Sequence, residues 1–161
     1  MSSLARLARL ALFVLVVPVV LAGASLPAAA RAGTVVFGPG DATSVQDGRT
    51  VCVIGTSKRG VGSAVCGGKS VYDALWAGTP CDSMTRMGCV VDGRIRAVRL
   101  RETGKPQRAW IDGLGGVLDV ERGQKIKAGR ITGQRLPDGG FRFANPAGHA
   151  FRVTNTALAV R

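Results

Sequence analysis

Residues 89–101 have the sequence Cys-Val-Val-Asp-Gly-Arg-Ile-Arg-Ala-Val-Arg-Leu-Arg, which predicts two strands joined by a tight turn. Asp-Gly between two apolar runs is the strongest short-range signal for a β-hairpin, because both residues tolerate the positive φ of a type I′ turn. In the second arm, Ile95 and Ala97 fall on one face of a strand, whereas Val98 and Leu100 fall on the other. Two possibilities stay open: both faces of this strand are partly covered, or a bulge near Ala97 shifts its register.

Further strand candidates recur about every ten residues along the chain, with a turn signal between neighbours. They are residues 34–37, 50–54, 61–66, 108–112, 117–120, 125–131, 140–143, 151–154 and 157–160. The 23 glycines favour many turns and short strands over long helices. We therefore predict a mainly β fold, a small antiparallel barrel or sandwich, in a single domain over residues 33–161.

One segment, at about residues 70–78, has the signals of a short helix. Ser70 is placed to cap its N-terminus, and Asp73 stands three residues on, in the spacing of a capping box. Gly78 can end the helix in a left-handed conformation, and Pro80 follows it. Because two turns of helix are not stable alone in water, this helix must pack against the strands.

Residues 1–32 have the layout of a secretory signal peptide, with a short basic start, an uncharged run and small residues at the end. The segment closes on Ala30-Arg31-Ala32, an A-x-A cleavage site, so Gly33 is the predicted first residue of the mature protein. A membrane anchor is the alternative, but the second half of the uncharged run is only weakly apolar. We predict a periplasmic or secreted protein with no stable membrane span after cleavage.

Four cysteines lie in the predicted mature part, and an even count in an exported chain predicts two disulfides. Three pairings are possible, and we favour Cys52–Cys66 with Cys81–Cys89, because each pair brackets a plausible local turn. A zinc site is disfavoured, since the chain has no C-x-x-C motif and its single histidine is distant in sequence. We predict neither a metal nor a cofactor.

The chain is strongly basic, with 22 Lys and Arg against 10 Asp and Glu. Three of these cations lie in residues 1–32, which leaves 19 against 10, a formal charge of +9, in residues 33–161. Seventeen of the 22 cations are arginine, a bias that suggests a bacterial origin. Such a charge favours polyanionic partners, although a solvated basic surface that only aids solubility is the alternative.

The densest run of cations begins in the second arm of the hairpin. On a regular strand Arg94 and Arg96 would share one face and Arg99 and Arg101 the other, whereas a bulge would bring all four together. Such a row of guanidinium groups suits phosphate or carboxylate, and a nearby tryptophan adds a stacking face. The alternative is protection of an edge strand from aggregation. The predicted binding residues are Arg94, Arg96, Arg99, Arg101, Arg108 and Trp110.

The sequence offers few residues for catalysis. His149 is the single histidine and the candidate general acid or base, in an Asn-Pro-Ala-Gly-His turn. Glu102 and Glu121 are possible partners for it, but no spacing links them, and no serine lies in a G-x-S-x-G motif. We therefore favour a binding protein over an enzyme.

The favoured function is an exported binding protein whose basic surface engages an anionic component of the cell envelope or an acidic protein. One alternative is a secreted inhibitor of a protease or lysozyme that presents the Lys58-Arg59 turn. The other is a small secreted hydrolase or nuclease that uses His149.

Overall fold

Thirteen strands and one helix make up residues 33–161, the part of the chain that the computed structural model describes. The predicted signal peptide at residues 1–32 lies outside the described residues. The elements are β1 (Thr34–Phe37), β2 (Ala42–Asp47), β3 (Thr50–Thr56), β4 (Gly62–Gly67), α1 (Lys69–Leu75), β5 (Ser83–Thr85), β6 (Gly88–Val91), β7 (Arg94–Arg101), β8 (Gln107–Ile111), β9 (Lys125–Ala128), β10 (Ile131–Arg135), β11 (Phe141–Ala144), β12 (Ala150–Val153) and β13 (Leu158–Val160). Within the described part, no helix is long and apolar enough to cross a membrane.

The strands form two sheets in a sandwich, so the predicted mainly β fold is confirmed. Sheet A has the order β1-β9-β10-β11-β12-β13, and sheet B has the order β2-β3-β4-β7-β6-β5, with β8 also paired to β7. Pairing between the strands is antiparallel except between β1 and β9, which pair in parallel. The chain builds sheet B between these two strands, and a long crossover of this kind permits parallel pairing.

One apolar core lies between the sheets. Sheet A contributes Phe141, Phe143 and Phe151, whose successive ring centroids lie 6.2 and 5.5 Å apart. Sheet B contributes aliphatic side chains such as Ile54 and Leu100, and all five of these side chains are buried. Since each contributes about 1.5–3 kcal/mol on burial, this shared core is the main force that holds the two sheets together.

Strand β7 is covered on both of its faces. Its pairing with β4 on one side and with β8 on the other contains no insertion. Val98 and Leu100 belong to the core between the sheets, whereas Ile95 and Ala97 belong to a second apolar cluster on the outer face of sheet B. The first of the two possibilities left open by the sequence is therefore correct, and β7 has no bulge at Ala97.

The hairpin and both disulfides are confirmed. Asp92 and Gly93 have φ values of 49° and 72°, as the predicted tight turn requires. Cys52–Cys66 joins residues directly opposite each other on β3 and β4, with Cα atoms 4.0 Å apart. Cys81–Cys89 ties the segment after α1 to β6. Each bridge closes a short loop and contributes about 2–3 kcal/mol in the chain-entropy description.

The helix is confirmed, but the predicted cap is wrong. Gly68 is the N-cap of α1, so Ser70 lies inside the first turn. The Ser70 hydroxyl instead donates a hydrogen bond of 2.6 Å to the carbonyl of Thr154, which ties α1 to the end of β12. Gly78, with φ of 79°, follows the end of the helix in the left-handed conformation that the sequence predicts.

Two strand predictions are wrong, and two strands of the structure have no predicted counterpart. Residues 117–120 form no strand, and only Val117 makes an isolated bridge to Ser44. Residues 125–131 break into β9 and β10 at Gly129, where φ is 55° and a Cβ would lie 2.5 Å from a backbone oxygen. Strand β2 lacks an apolar alternation and is held by pairing with β3 along its whole length, and the three-residue β5 is held by pairing with β6.

A mostly buried ion pair joins the sheets. The carboxylate of Asp47 on β2 lies 3.2 Å from the guanidinium of Arg135 on β10 and accepts a hydrogen bond of 2.6 Å from the N–H of Gly140. Burial raises the pKa of Asp47, but these hydrogen bonds and the positive charges of Arg135 and Arg122 outweigh burial, so its pKa lies below the ordinary value of 3.8. The pair therefore stabilises the folded state at neutral pH.

We predict that Asp47→Asn lowers the free energy of unfolding at pH 7 by roughly 3 kcal/mol, because it removes the carboxylate that compensates a mostly buried guanidinium. The stability that Asp47 contributes to the wild type should be lost as the pH falls through its lowered pKa, and this acid-dependent loss should be smaller in the variant. Urea unfolding at pH 7 and pH 3 measures both effects.

Asp119→Asn is the matched control. Asp119 lies 3.5 Å from the same guanidinium of Arg135, but its side chain is 95% exposed. Its removal should leave the free energy of unfolding nearly unchanged, because solvent screens exposed pairs. If both variants lose the same free energy of unfolding, the buried pair contributes no more to stability than the exposed pair.

Candidate functional site

Three arginines surround a contacting pair of tryptophans where α1 ends beside β7 and β8. Arg96 lies against both indoles, with Cζ 4.8 Å from the ring centroid of Trp76 and 5.4 Å from that of Trp110. Arg94 covers Trp110 at 5.0 Å, and Arg108 covers Trp76 at 5.0 Å. The two indole centroids are 5.3 Å apart. We call these five residues the Arg–Trp cluster, and its distances are those of cation–π contacts.

Strand register brings most of the cluster together. Arg96 on β7 is directly opposite Trp110 on β8, and Arg108 is opposite the next inward residue, Val98. Side chains at paired positions point to the same face, so these residues must lie side by side. Trp76 arrives from the C-cap of α1, and its indole N–H donates a hydrogen bond of 3.3 Å to the carbonyl of residue 97 on β7.

The guanidinium of Arg96 is buried without a carboxylate partner. Arg96 is only 6% exposed, and it forms no ion pair with any acid within residues 33–161. Its Nη1 donates to the hydroxyl of Thr79, and its Nε has no hydrogen-bond partner in this part of the chain. The Thr79 hydroxyl in turn donates to the carbonyl of Trp76. A buried guanidinium is ordinarily paired with a carboxylate, whereas Arg96 instead contacts the rings of two tryptophans.

The outer members of the cluster reach solvent. Arg94 and Arg108 are exposed, and Trp76 and Trp110 are partly exposed. Arg94 lies 3.9 Å from Asp112, but both side chains are well exposed, so this ion pair contributes little. Along the strands, Arg94 and Arg108 are about four residues apart, roughly 13 Å. A ligand can therefore meet two separated guanidinium groups with indole edges between them.

The structure divides the predicted binding residues between two faces of sheet B. Arg94, Arg96, Arg108 and Trp110 come together in the cluster. Arg99 and Arg101 do not, because the unbroken register of β7 turns them to the outer face of the sheet. There they line a shallow groove of about 340 Å³, together with small and aliphatic residues of β3 and β4.

Trp76 is the cluster residue that the sequence analysis missed. The predicted binding residues include Trp110 but not Trp76. A signal was available, because Trp76 is one of only two tryptophans in the chain. The indole N–H of a tryptophan that packs at the end of a short helix needs a hydrogen-bond acceptor, and a carbonyl of a neighbouring strand can supply it.

The contacts around His149 are structural. Its backbone N–H donates to the Oδ1 of Asn145 at 3.0 Å, and its carbonyl accepts from the Asn145 N–H at 2.9 Å. Glu102, a possible partner in catalysis, accepts N–H groups of Gly62 and Arg130 at 2.7 and 2.8 Å, and these bonds hold its pKa below the ordinary value. The hydrolase hypothesis gains no support from these contacts.

The Lys58-Arg59 turn joins β3 to β4, and both cations are exposed. Ser57 closes the turn, because its carbonyl accepts from the N–H of Gly60 and its hydroxyl accepts from the N–H of Val61. The inhibitor hypothesis stays a prediction, since an ordered basic turn alone selects no target.

The Arg–Trp cluster has to be interpreted from its own chemistry, because no protein-family model matches the chain and no curated protein or solved structure is significantly similar to it. Within residues 33–161, no group of three or more His, Cys, Asp or Glu side chains is arranged to hold a metal ion. The cluster is the place in the described chain where a buried charge, aromatic faces and exposed cations meet.

Arg96→Met tests whether the two indoles offset the cost of burying the guanidinium. Two cation–π contacts of about 2 kcal/mol each oppose a burial cost of several kcal/mol. We therefore expect this variant to change the free energy of unfolding by less than about 1 kcal/mol. Trp76→Ala should cost roughly 3 kcal/mol, because it also removes apolar contacts. Urea unfolding measures both changes. If Arg96→Met lost as much stability as Trp76→Ala, the cation–π contacts would outweigh the cost of burying the guanidinium.

Proposed function

We propose that this protein is an exported binding protein whose Arg–Trp cluster contacts an anionic partner. The observation that carries the proposal is the buried guanidinium of Arg96, which lacks a carboxylate partner within residues 33–161. A well-packed apolar side chain at this position would give similar stability without a buried charge. The retained charge instead adds to the positive potential at the surface, where Arg94 and Arg108 stand exposed.

Stacking prepares the exposed guanidinium groups for binding. Arg94 and Arg108 each lie over an indole face, so their planar forks are restrained before a ligand arrives. Restraint of this kind reduces the side-chain entropy that binding would otherwise cost. Each fork presents paired N–H donors that match a phosphate or a carboxylate. The indoles also exclude water from one side of each cation, which strengthens its attraction for an anion.

The spacing favours a partner with several charges. The backbone positions of Arg94 and Arg108 are about 13 Å apart along the strands, and each guanidinium lies over a different indole. A polyanion of the cell envelope or an acidic protein surface supplies anionic groups at such spacing. The charge of +9 over residues 33–161 adds attraction at longer range.

Export is part of the same proposal. All four cysteines are paired in disulfides, which is compatible with a periplasmic or extracellular location. The layout of residues 1–32 supports the same interpretation, as a signal peptide that is removed after translocation. A bacterial cell envelope would then be the surroundings in which the cluster meets its partner.

Tryptophan fluorescence is a specific test, because both tryptophans of the chain belong to the cluster. We expect polyphosphate and poly-L-glutamate, probes for an envelope phosphate and for an acidic protein, to shift the emission of the wild-type protein. The dissociation constant should rise on the order of tenfold between 50 and 200 mM NaCl, because about two cations, Arg94 and Arg108, are neutralised. Arg94→Gln/Arg108→Gln should abolish most of the response.

Lys58→Gln/Arg59→Gln is the matched control, since it removes the same charge from an exposed turn remote in sequence from the cluster. It should retain the wild-type response to within about twofold. The proposal fails if neither probe changes the emission at low salt, or if the two double variants lose affinity equally. A response to only one probe tells which source of anion the cluster prefers.

A further inference from the structure

A straight row of outward-facing side chains crosses all six strands of sheet A. Each member is directly paired with the next across neighbouring strands, from β1 to β13: Thr34, Lys125, Gln134, Arg142, Arg152 and Ala159. Their neighbours along each strand, such as Ile126, Phe141 and Phe151, are buried in the core. Because side chains alternate between faces, the row must point away from the core, on the outer face of sheet A.

The positions of the cations in this row destabilise the sheet. Arg142 and Arg152 are directly opposite each other on β11 and β12. Like charges at paired positions repel and destabilise a sheet. Asp138 forms an ion pair with Arg152 and is the one acid among the residues that line the grooves beside the row. Lys125 and Arg142 have no ion-pair partner within residues 33–161.

Shallow grooves follow the row from strand to strand. Three of them, with volumes of about 460, 360 and 350 Å³, adjoin through shared residues. Arg142 lines the first and the second, and Arg152 lines the first and the third. Hydroxyl and amide groups stand among the cations, notably Thr132, Gln134 and Thr156. From Lys125 to Arg152 the row covers three strand spacings, roughly 14 Å.

We propose that the outer face of sheet A binds a linear acidic polysaccharide, a chain of uronic acid residues that lies across the strands. One pyranose residue is about as long as the spacing between neighbouring strands. The carboxylates would pair with Lys125, Arg142 and Arg152, and one carboxylate between the two arginines would relieve their repulsion. The sugar hydroxyls would bond to the amide and hydroxyl groups between the cations.

Two other polyanions fit this face less well. Single-stranded nucleic acid is bound by cations with exposed aromatic rings on which bases stack. The aromatic residue that lines these grooves is Phe151, which is only 1% exposed. A membrane surface would favour large apolar side chains beside the cations, whereas the row itself contains none. The grooves also suit a narrow chain better than a plane.

This surface is separate from the Arg–Trp cluster. The two share no residue, because the cluster lies on sheet B and the end of α1, whereas the row lies on sheet A. Binding at sheet A should therefore leave the tryptophan emission unchanged, because both tryptophans lie in the cluster. The inference can fail while the proposed function stands, and the reverse also holds.

The test uses labelled oligogalacturonides, from two to eight residues, and fluorescence anisotropy at low salt. Lys125→Gln/Arg142→Gln/Arg152→Gln should raise the dissociation constant about tenfold or more. Lys58→Gln/Arg59→Gln/Arg86→Gln removes the same charge from exposed turns and should change it by less than about twofold. Wild-type affinity should rise with length until the chain reaches from Lys125 to Arg152, at about four residues, and then level off.

The single variant Arg142→Gln separates a loss of binding from a loss of stability. This variant should bind the oligomers more weakly and yet unfold at the same or a higher temperature, because it relieves the repulsion from Arg152. Equal affinity losses in the two triple variants would overturn the proposal. So would loss of oligogalacturonide binding in Arg94→Gln/Arg108→Gln, which would assign it to the cluster. Tighter binding of oligo-dT, or of phosphatidylglycerol vesicles, through the same three residues would likewise overturn it.

Discussion

Strand β7 carries apolar residues on both faces, and its pairing with β4 and β8 fixes where its arginines emerge. Val98 and Leu100 must enter the core between the sheets, and Ile95 and Ala97 must enter the outer cluster. A slip of one residue would exchange the two sets and bury arginines in the core, so the register is strongly specified. Arg96 therefore lies on the core side of the strand, where it contacts the indoles of Trp76 and Trp110.

Some acids are used in contacts that hold the fold together, whereas cations are in excess at the surface. Two acids with lowered pKa values, Asp47 and Glu102, hold parts of the fold together by accepting N–H groups and, for Asp47, by pairing with Arg135. Asp112 pairs with Arg94 of the cluster, and Asp138 pairs with Arg152 of the row. Because cations outnumber acids 19 to 10 over residues 33–161, both surfaces keep a net positive charge that is suited to anions.

Local signals explain what the sequence could predict. The Asp92-Gly93 turn, the disulfide pairs and the position of α1 depend on residues close together in the chain, and all three are confirmed. The cap at Ser70 was mispredicted because the acceptor of its hydroxyl, Thr154, is remote in sequence. Strand β2 was missed because its burial depends on β3 and not on its own pattern.

The candidate sites were predictable only in part for a related reason. Alternation along one strand could separate Arg94 and Arg96 from Arg99 and Arg101, but the choice between a regular strand and a bulge needed the pairing of β7 with its neighbours. Trp76 joins the cluster through the tertiary position of α1. The row on sheet A depends on register across six strands, which no local pattern in the sequence reveals.

The central claim is that the face formed by the Arg–Trp cluster meets the anion. A titration of ¹⁵N-labelled protein with polyphosphate, followed by two-dimensional NMR, tests it most directly. We expect the side-chain Nε–H signals of Arg94 and Arg108 and the indole N–H signals of Trp76 and Trp110 to shift first, together with neighbouring amides of β7 and β8. Shifts confined to the Lys58-Arg59 turn, or spread evenly over the exposed cations, would contradict it.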